Sequence, residues 1–397
     1  MLERASIGLL ATSLVACFEP NLGDGDVRCG EAGCPPGLTC AADGVCRAST
    51  GDTENTVLAV ARSGASLQLW AACGEGILLA WDLDHVLDAS SVAWGDSDRD
   101  DAPSHRRLAI GSGDEELRVK TIDGHELRED FSSWQLRQAR AVAWADYDRD
   151  DDLDLGISSG MQSVHVLAQR RDGLETEWQA NNMGQPYGLA WGDLDGDGDP
   201  DLAVAAGNAR VYRNQGDWFE DAWTSPAREE RRSVLWADLD GDGDADLITG
   251  ALAGPVRVHT NSGGVLTETW SSGDVSHAPA LDAGDLDGDG DLDLAVAGRD
   301  QPSRVYRNDG GTLVPLWTTG ASETTASIEW FDVDGDGDLD LTLGNVEQPS
   351  RVLRNDGGAL VDWLTLDVMG VNQLAWLRWS LDDHTPACDV ATWRLNP

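Results

Sequence analysis

A unit repeated at a fixed interval, loops built on alternate aspartates, and short alternating strands predict an all-β fold: a seven-bladed β-propeller of four-stranded blades. The string DLDGDGDPDL sets Asp193, Asp195, Asp197, Asp199 and Asp201 at every second position. Near-copies start at Asp238, Asp285 and Asp332, and a looser one at Asp146; from Asp146 onward the intervals are 47, 45, 47 and 47 residues. In the unit from Ser233, an apolar run enters the Asp loop and DLITGA leaves it. PVRVHTN then alternates, Gly263-Gly264 turns, and LTETWSS alternates again. Four short strands with turns between them make one blade. No segment keeps a helical period.

The N-terminal elements read as export machinery. In residues 1–16, Arg4 precedes the apolar stretch Ile7 to Leu14, which is too short to span a bilayer. Leu14-Val15-Ala16-Cys17 resembles a bacterial lipobox, which makes Cys17 the lipidated residue; an ordinary signal peptide cut nearby, or an uncleaved N-terminus, is the alternative. Phe18 follows in place of an inner-membrane retention Asp, which suggests an outer-membrane or cell-surface lipoprotein. The membrane is then met only through that lipid. Residues 17–46 hold Cys29, Cys34, Cys40 and Cys46 in a short Gly/Pro-rich stretch, a small disulfide-rich segment. Zinc is the alternative, but C-x-x-C pairs are missing. Residues 47–56 are polar, small and aperiodic, a linker to the propeller at 57–381.

Six inner strands precede Asp loops that begin near residues 96, 146, 193, 238, 285 and 332. A seventh spans Gln373 to Trp379, with its loop decayed to RWSLDD. Residues 57–90 read as three strands without an Asp loop. The first and last segments would therefore share one blade and close the ring, and a Cys73–Cys388 disulfide would staple it. Residues 382–397 form a C-terminal tail. Trp94, Trp144, Trp191, Trp236 and Trp330 stand two residues before a loop. Trp134, Trp178, Trp223, Trp270, Trp317 and Trp363 stand in last strands. Packing between blades is the expected role of both sets, with sugar stacking the functional alternative.

Charge narrows the partners. Asp and Glu number 71 against 28 Lys and Arg, a formal net charge of −43, which repels nucleic acid and anionic lipid. The 17 Trp and regular apolar runs speak for a packed core over disorder. Much of the acidity is local, and crowded carboxylates repel one another unless a cation joins them.

The loops supply such a site. In the second copy, Asp193, Asp195 and Asp197 take positions one, three and five, Gly198 takes six, Asp199 offers its carbonyl at seven, and Asp201 takes nine. The corresponding candidates are Asp238, Asp240, Asp242, Asp244 and Asp246; Asp285, Asp287, Asp289, Asp291 and Asp293; and Asp332, Asp334, Asp336, Asp338 and Asp340. The loose copy offers Asp146, Asp148, Asp150, Asp152 and Asp154, with Asp151 in the Gly place. Oxygens at positions one, three, five and seven suit Ca²⁺. Position twelve is Val204, so the bidentate Glu of an EF-hand is missing, and strands flank the loop. About four to five Ca²⁺ sites are expected. Mg²⁺ suits them less, since it keeps a smaller, water-rich shell. The loop at Asp96, Asp98 and Asp100 has Asp101 for Gly and Ser104 at nine, and is expected to bind weakly or not at all.

With these residues in view, the chain resembles the FG-GAP/VCBS repeat family, whose members include the propeller of integrin α-chains. The carriers are WGDLDGDGDPDLAV, WADLDGDGDADLIT, AGDLDGDGDLDLAV and WFDVDGDGDLDLTL, each followed by RVYRNQG, RVHTNSG, RVYRNDG or RVLRNDG. The resemblance implies calcium on rim loops and a surface module for adhesion or protein contact. Its partner would be a surface or extracellular protein, or a glycan in a lectin-like alternative. An enzyme acting on polysaccharide or phosphoester is a weaker expectation, because no blade stands out with its own acid or His constellation. Ser158 in GISSG matches G-x-S-x-G formally, but it occupies a second-strand slot where the motif needs a strand-to-helix elbow.

Overall fold

The computed structural model describes residues 38–40, 46–48 and 54–380, apart from short stretches at 74–75, 98–104, 124–125, 217, 227–228 and 274–276. Seven antiparallel sheets make the ring. Blade 1 runs from Ala89–Ser97 to Glu126–Ser133, and blade 2 from Ala139–Ala145 to Gly173–Asn181. Blade 3 runs from Gly188–Gly192 to Phe219–Thr224, and blade 4 from Arg231–Ala237 to Leu266–Ser271. Blade 5 runs from Leu281–Gly284 to Leu313–Thr318, and blade 6 from Glu323–Phe331 to Leu360–Leu366. In blades 1 to 4 the four strands follow chain order across the sheet. A short extra strand, Arg299–Gln301, leaves blade 5 and pairs with the inner strand of blade 6.

Blade 7 closes the ring from both ends of the chain, as the sequence predicts. Val371–Ser380 is its inner strand and pairs with Glu54–Arg62, setting Trp376 opposite Leu58. Ser66–Cys73 and Gly76–Leu87 complete it outward. The Cys73–Cys388 staple lies outside the residues whose side chains are described. In the N-terminal segment a two-stranded ladder sets Cys40 opposite Cys46. Cys17, Cys29, Cys34 and the tail lie outside the described residues.

Seams between blades are the core, and the first Trp set fills them. The indole Nε1 of Trp94 donates to Ala375 O at 3.0 Å, that of Trp144 to Ala93 O at 3.1 Å, and that of Trp191 to Ala143 O at 3.1 Å. Each indole thus spans to the preceding blade. Such packing requires glycine behind it: a Cβ on Gly192 would lie 2.4 Å from the Trp236 ring. The second set departs from expectation in blade 1. Phe131, opposite Val119, holds the place that Trp178, Trp223, Trp270 and Trp317 hold elsewhere. Trp134 falls in the 3-10 turn Trp134–Leu136 and is 59% exposed, because an aromatic three residues earlier already fills the seam.

Ser158 sits inside the strand Asp154–Ser159 and is fully buried. That placement rules out the elbow its motif would need.

Candidate metal centres on the rim

Each Asp loop joins the first and second strands of its blade, so the loops of blades 2 to 6 lie side by side on one face. The first Asp shapes the turn. Asp193 accepts the N–H of Gly196 on Oδ1 and of Gly198 on Oδ2, both at 2.8 Å. Asp238, Asp285 and Asp332 repeat both bonds. Gly196 and Gly198 have φ of 73° and 88°, a left-handed backbone that glycine adopts without steric cost. In the loose copy Arg149 and Asp151 take these places at φ 58° and 68°. Asp146 still accepts from Asp150 N and Asp151 N. The substituted loop therefore keeps its shape, as an Asp in the left-handed region allows.

Carboxylate oxygens gather within 4.8 Å of one another in all five loops. Positions one, three and five meet at Asp193/Asp195/Asp197, Asp285/Asp287/Asp289 and Asp332/Asp334/Asp336. Positions one, three and nine meet at Asp146/Asp148/Asp154 and Asp238/Asp240/Asp246. Oδ1 of Asp148 and Oδ1 of Asp195 are buried without a hydrogen-bond partner. A buried carboxylate oxygen with nothing to bind is costly, and a hard cation answers it. The donor set therefore fits a divalent ion such as Ca²⁺. Arginines brace the loops from outside: Arg170 Nη1 lies 2.9 Å from Asp148 Oδ2, and Arg149 Nη1 lies 2.8 Å from Asp199 Oδ1 in the next blade.

Position seven turns its side chain to the neighbouring hairpin. Asp244 Oδ2 accepts Gly263 N and Asp291 Oδ2 accepts Gly310 N. This leaves the backbone carbonyl as the ligand atom there. Position nine has a second task. Asp154, Asp201, Asp246, Asp293 and Asp340 are at most 1% exposed, and each accepts two backbone N–H groups. For Asp246 these are Leu239 N at 3.0 Å and Asn261 N at 2.8 Å. Burial pushes Asp154 up to about 7, and Asp201 and Asp340 to about 6. Asp246 and Asp293 are raised by the same cause. The accepted N–H bonds pull the other way.

Sequence reasoning missed the partners of position nine. Asn214, Asn261, Asn308 and Asn355 end the third strands and are buried. Asn261 Nδ2 donates to Leu194 O of the preceding blade's loop at 2.8 Å and to Ala245 O of its own at 3.1 Å. Its Oδ1 accepts Gly264 N at 3.0 Å. Asn308 reaches Leu239 O, Asn355 reaches Leu286 O, and Asn214 reaches Tyr147 O, each at 2.7 Å. One amide thus ties two consecutive loops. The signal lay in the Asn of RVYRN and its relatives, placed 13 or 15 residues after position nine. The Asp96 loop falls largely at residues 98–104, outside the described residues.

Comparison with known proteins agrees with this geometry. The FG-GAP-like repeat model matches residues 146–204, 193–249 and 285–343. A search of curated proteins found no similar sequence. Among solved structures, a candidate 6-phosphogluconolactonase of Bacteroides fragilis superposes with TM-score 0.62 at 14% identity, over 83% of this chain and 99% of that one. The periplasmic gluconolactonase PpgL of Pseudomonas aeruginosa gives TM-score 0.62 at 16% identity, over 81% and 99%. BBS1N, solved with ARL6DN and soaked with lead, gives 0.55 at 16%, over 81% and 91%. At such identities the likeness carries the fold alone. The repeated Asp loops, the matched repeats and the seven-sheet ring make this chain a member of the FG-GAP repeat β-propellers.

Proposed function

We propose that the protein is a calcium-stabilised binding module of the bacterial cell surface, anchored through lipid on Cys17, that holds a protein partner. Calcium on the five loops would order one face of the ring. The other face, formed by the second-to-third-strand turns and the links between blades, would meet the partner. The observation that carries this reading is a set of three large apolar side chains exposed on that face, besides Trp218 and Val265 exposed in hairpins on the Asp-loop face. Trp134 and Met369 lie in links between blades and Met161 in a second-to-third-strand turn, at 59%, 47% and 53% exposure. Exposed aromatics and methionines are common anchors in protein interfaces.

A pull-down from native cell envelope, with and without calcium, tests the reading. The expected result is calcium-dependent capture of a protein by the wild type and its loss in Trp134→Ala/Met161→Ala. Equal capture by both would contradict it. Specific sugar binding on a glycan array would favour the lectin-like alternative instead. Hydrolysis of an aldonolactone, the chemistry named for the gluconolactonase neighbours, would favour an enzyme.

A further inference from the structure

Five of the seven inner strands bulge at one place: their registers skip Ser90, Arg140, Arg232, Ala326 and Asn372. Ser90, Arg140, Arg232 and Ala326 stand six residues before the first Asp of their loops, and so do Tyr187 in blade 3 and Pro279 in blade 5. A bulged residue leaves the ladder, and its side chain is re-aimed. Each Asp loop follows its inner strand, so this end of the strand opens on the other face. The seven side chains therefore ring the mouth of the central channel.

Ser90, Pro279, Ala326 and Asn372 are small or uncharged. The other three come from consecutive blades and stack. Arg140 Cζ lies 4.5 Å and Arg232 Cζ 3.6 Å from the centre of the Tyr187 ring, one guanidinium from each flanking blade. Gln185 ties the stack together: its Oε1 accepts the Tyr187 hydroxyl at 2.6 Å and Arg140 Nη1 at 3.3 Å. Arg232 Nη2 lies 2.9 Å from Glu230 Oε1.

Positive charge exceeds negative here, in a chain of net charge −43. Arg299 of blade 5 belongs to the same arc, since His277 has its pKa lowered first by burial and then by Arg299 and Arg232. Arg137 is exposed in the link that leads to Arg140. Among the described residues, Arg137, Arg140 and Arg299 make no ion pair. Glu230 answers Arg232, and Asp300 stands next to Arg299 in the chain. Glu229 is taken by Arg231 and Arg257. Arg137 and Arg140 are left without an acid.

A cavity opens beside the stack. It measures about 560 Å³ and is lined by Gln185, Gly207, Asn208 and Glu230, so two of its walls are the residues that hold Arg140, Tyr187 and Arg232. The exposed Met161 adjoins it in blade 2. It follows Gly160, where a Cβ would lie 3.1 Å from Arg140 Nε.

We propose that the Arg140–Tyr187–Arg232 stack and the cavity beside it recognise a single carboxylate, the side chain of an Asp or Glu in a segment of the protein partner. This rests on the reading that this face holds a protein, and it names what the face reads there. Arg140 gives one N–H group to Gln185 and keeps the rest of its fork, which matches a carboxylate two bonds at a time. One charge suits the site better than several, because Glu230 in the cavity wall repels a polyanion. The amides of Gln185 and Asn208 suit the neutral peptide groups on either side of the acid.

The experiment follows calcium-loaded protein by saturation-transfer NMR. The probe is a blocked Gly-Glu-Gly peptide, compared with its Gly-Gln-Gly analogue, glucuronate and inorganic phosphate. The Glu peptide should bind saturably and the Gln analogue should not. Arg140→Gln should weaken the Glu peptide about tenfold, the worth of one charged hydrogen bond. Arg171→Gln removes the same charge from an exposed hairpin on the Asp-loop face of the same blade and should leave binding unchanged. Tighter binding of glucuronate or phosphate, equal weakening in both variants, or no binding to the wild type would overturn the proposal. Capture from native cell envelope separates this inference from the reading beneath it. A wild type that captures nothing contradicts the reading, whereas a partner held equally by wild type and Arg140→Gln contradicts the inference alone.

Discussion

Blades 3 to 6 and the closing pair, blades 7 and 1, hold the same fold by different means. In the repeats, a buried Asp, an Asn and backbone groups join each rim loop to the next. In the closing pair those residues are absent. Blade 7 has Ala72 and blade 1 has Ile122 at the register place of Asn261. They rest on the apolar seam alone, a large cluster of Val57, Leu67, Leu69, Leu83, Leu108 and Ile110, whereas the repeats have both such seams and the loop ties. Polar edge contacts also cross the join: Gln373 Oε1 accepts Val92 N, and Asn372 Nδ2 donates to Ala89 O. The difference teaches that some blades add metal loops to the apolar seam and others rely on the seam alone. Only the loops couple stability to a cation.

Truncating the closing blade should show the largest effect. Leu69→Ala removes a fully buried side chain and is expected to cost about 2–5 kcal/mol by chemical denaturation. Calcium affinity should stay unchanged, since no Asp loop touches it. A parallel fall in affinity would blur the contrast between the two regions.

Asn261→Ala comes next. It deletes the amide bonds to Leu194 O and Ala245 O and leaves Gly264 N without its acceptor. The expected loss is about 2–4 kcal/mol, since buried groups left unpaired cost about 1–3 kcal/mol each. Isothermal titration should also show weaker calcium binding in two loops, at Asp193 and Asp238. Weakening in one loop alone would break the idea of linked loops.

The inner edge supplies a pH test away from the metal. Asp282 accepts Trp330 N at 2.7 Å and Glu329 accepts Trp376 N at 3.1 Å, each capping the next blade. Burial pushes Asp282 up to about 7 and Glu329 up to about 8. A folded pKa above the unfolded one stabilises the protein at low pH, and that contribution is lost as pH rises through the folded value. Calcium-loaded protein should therefore lose stability as pH rises from the ordinary carboxylate values of 3.8 and 4.5 to about 7 and about 8, and level off above them. Glu329→Gln keeps an acceptor for Trp376 N and should flatten that fall. An identical pH profile in the variant would contradict the assignment.

The smallest effect belongs to the hairpins beside the loops. Gly311 has φ 85°, and a Cβ there would sit 3.3 Å from that of Asp240 in the preceding blade. Gly311→Ala should cost about 1–2 kcal/mol, the usual penalty for a left-handed residue with a side chain. Its effect on calcium binding at Asp238–Asp246 should be slight.

Much of this was legible in the sequence. The Asp strings and their interval gave the blades, and the displaced strands at 57–90 and 373–379 gave the ring closure, because period and alternation are local signals. The first Trp set announced the seams for the same reason. The double duty of Asp246 was not legible, since spacing cannot tell an oxygen facing a cation from one held by backbone N–H groups. Nor was the role of Asn261, whose partner Leu194 lies 67 residues away. Trp134 misled because Phe131 had already taken its seam.

Hydrogen exchange of the protein with calcium and with excess chelator tests the central claim most directly. Chelation should expose the backbone amides of Gly198, Gly243, Gly290 and Gly337 and of Asn261 and Asn308, while Val57–Ala61 and Leu67–Ala71 keep their protection. Equal protection in both conditions, or loss that begins in the closing blade, would contradict it.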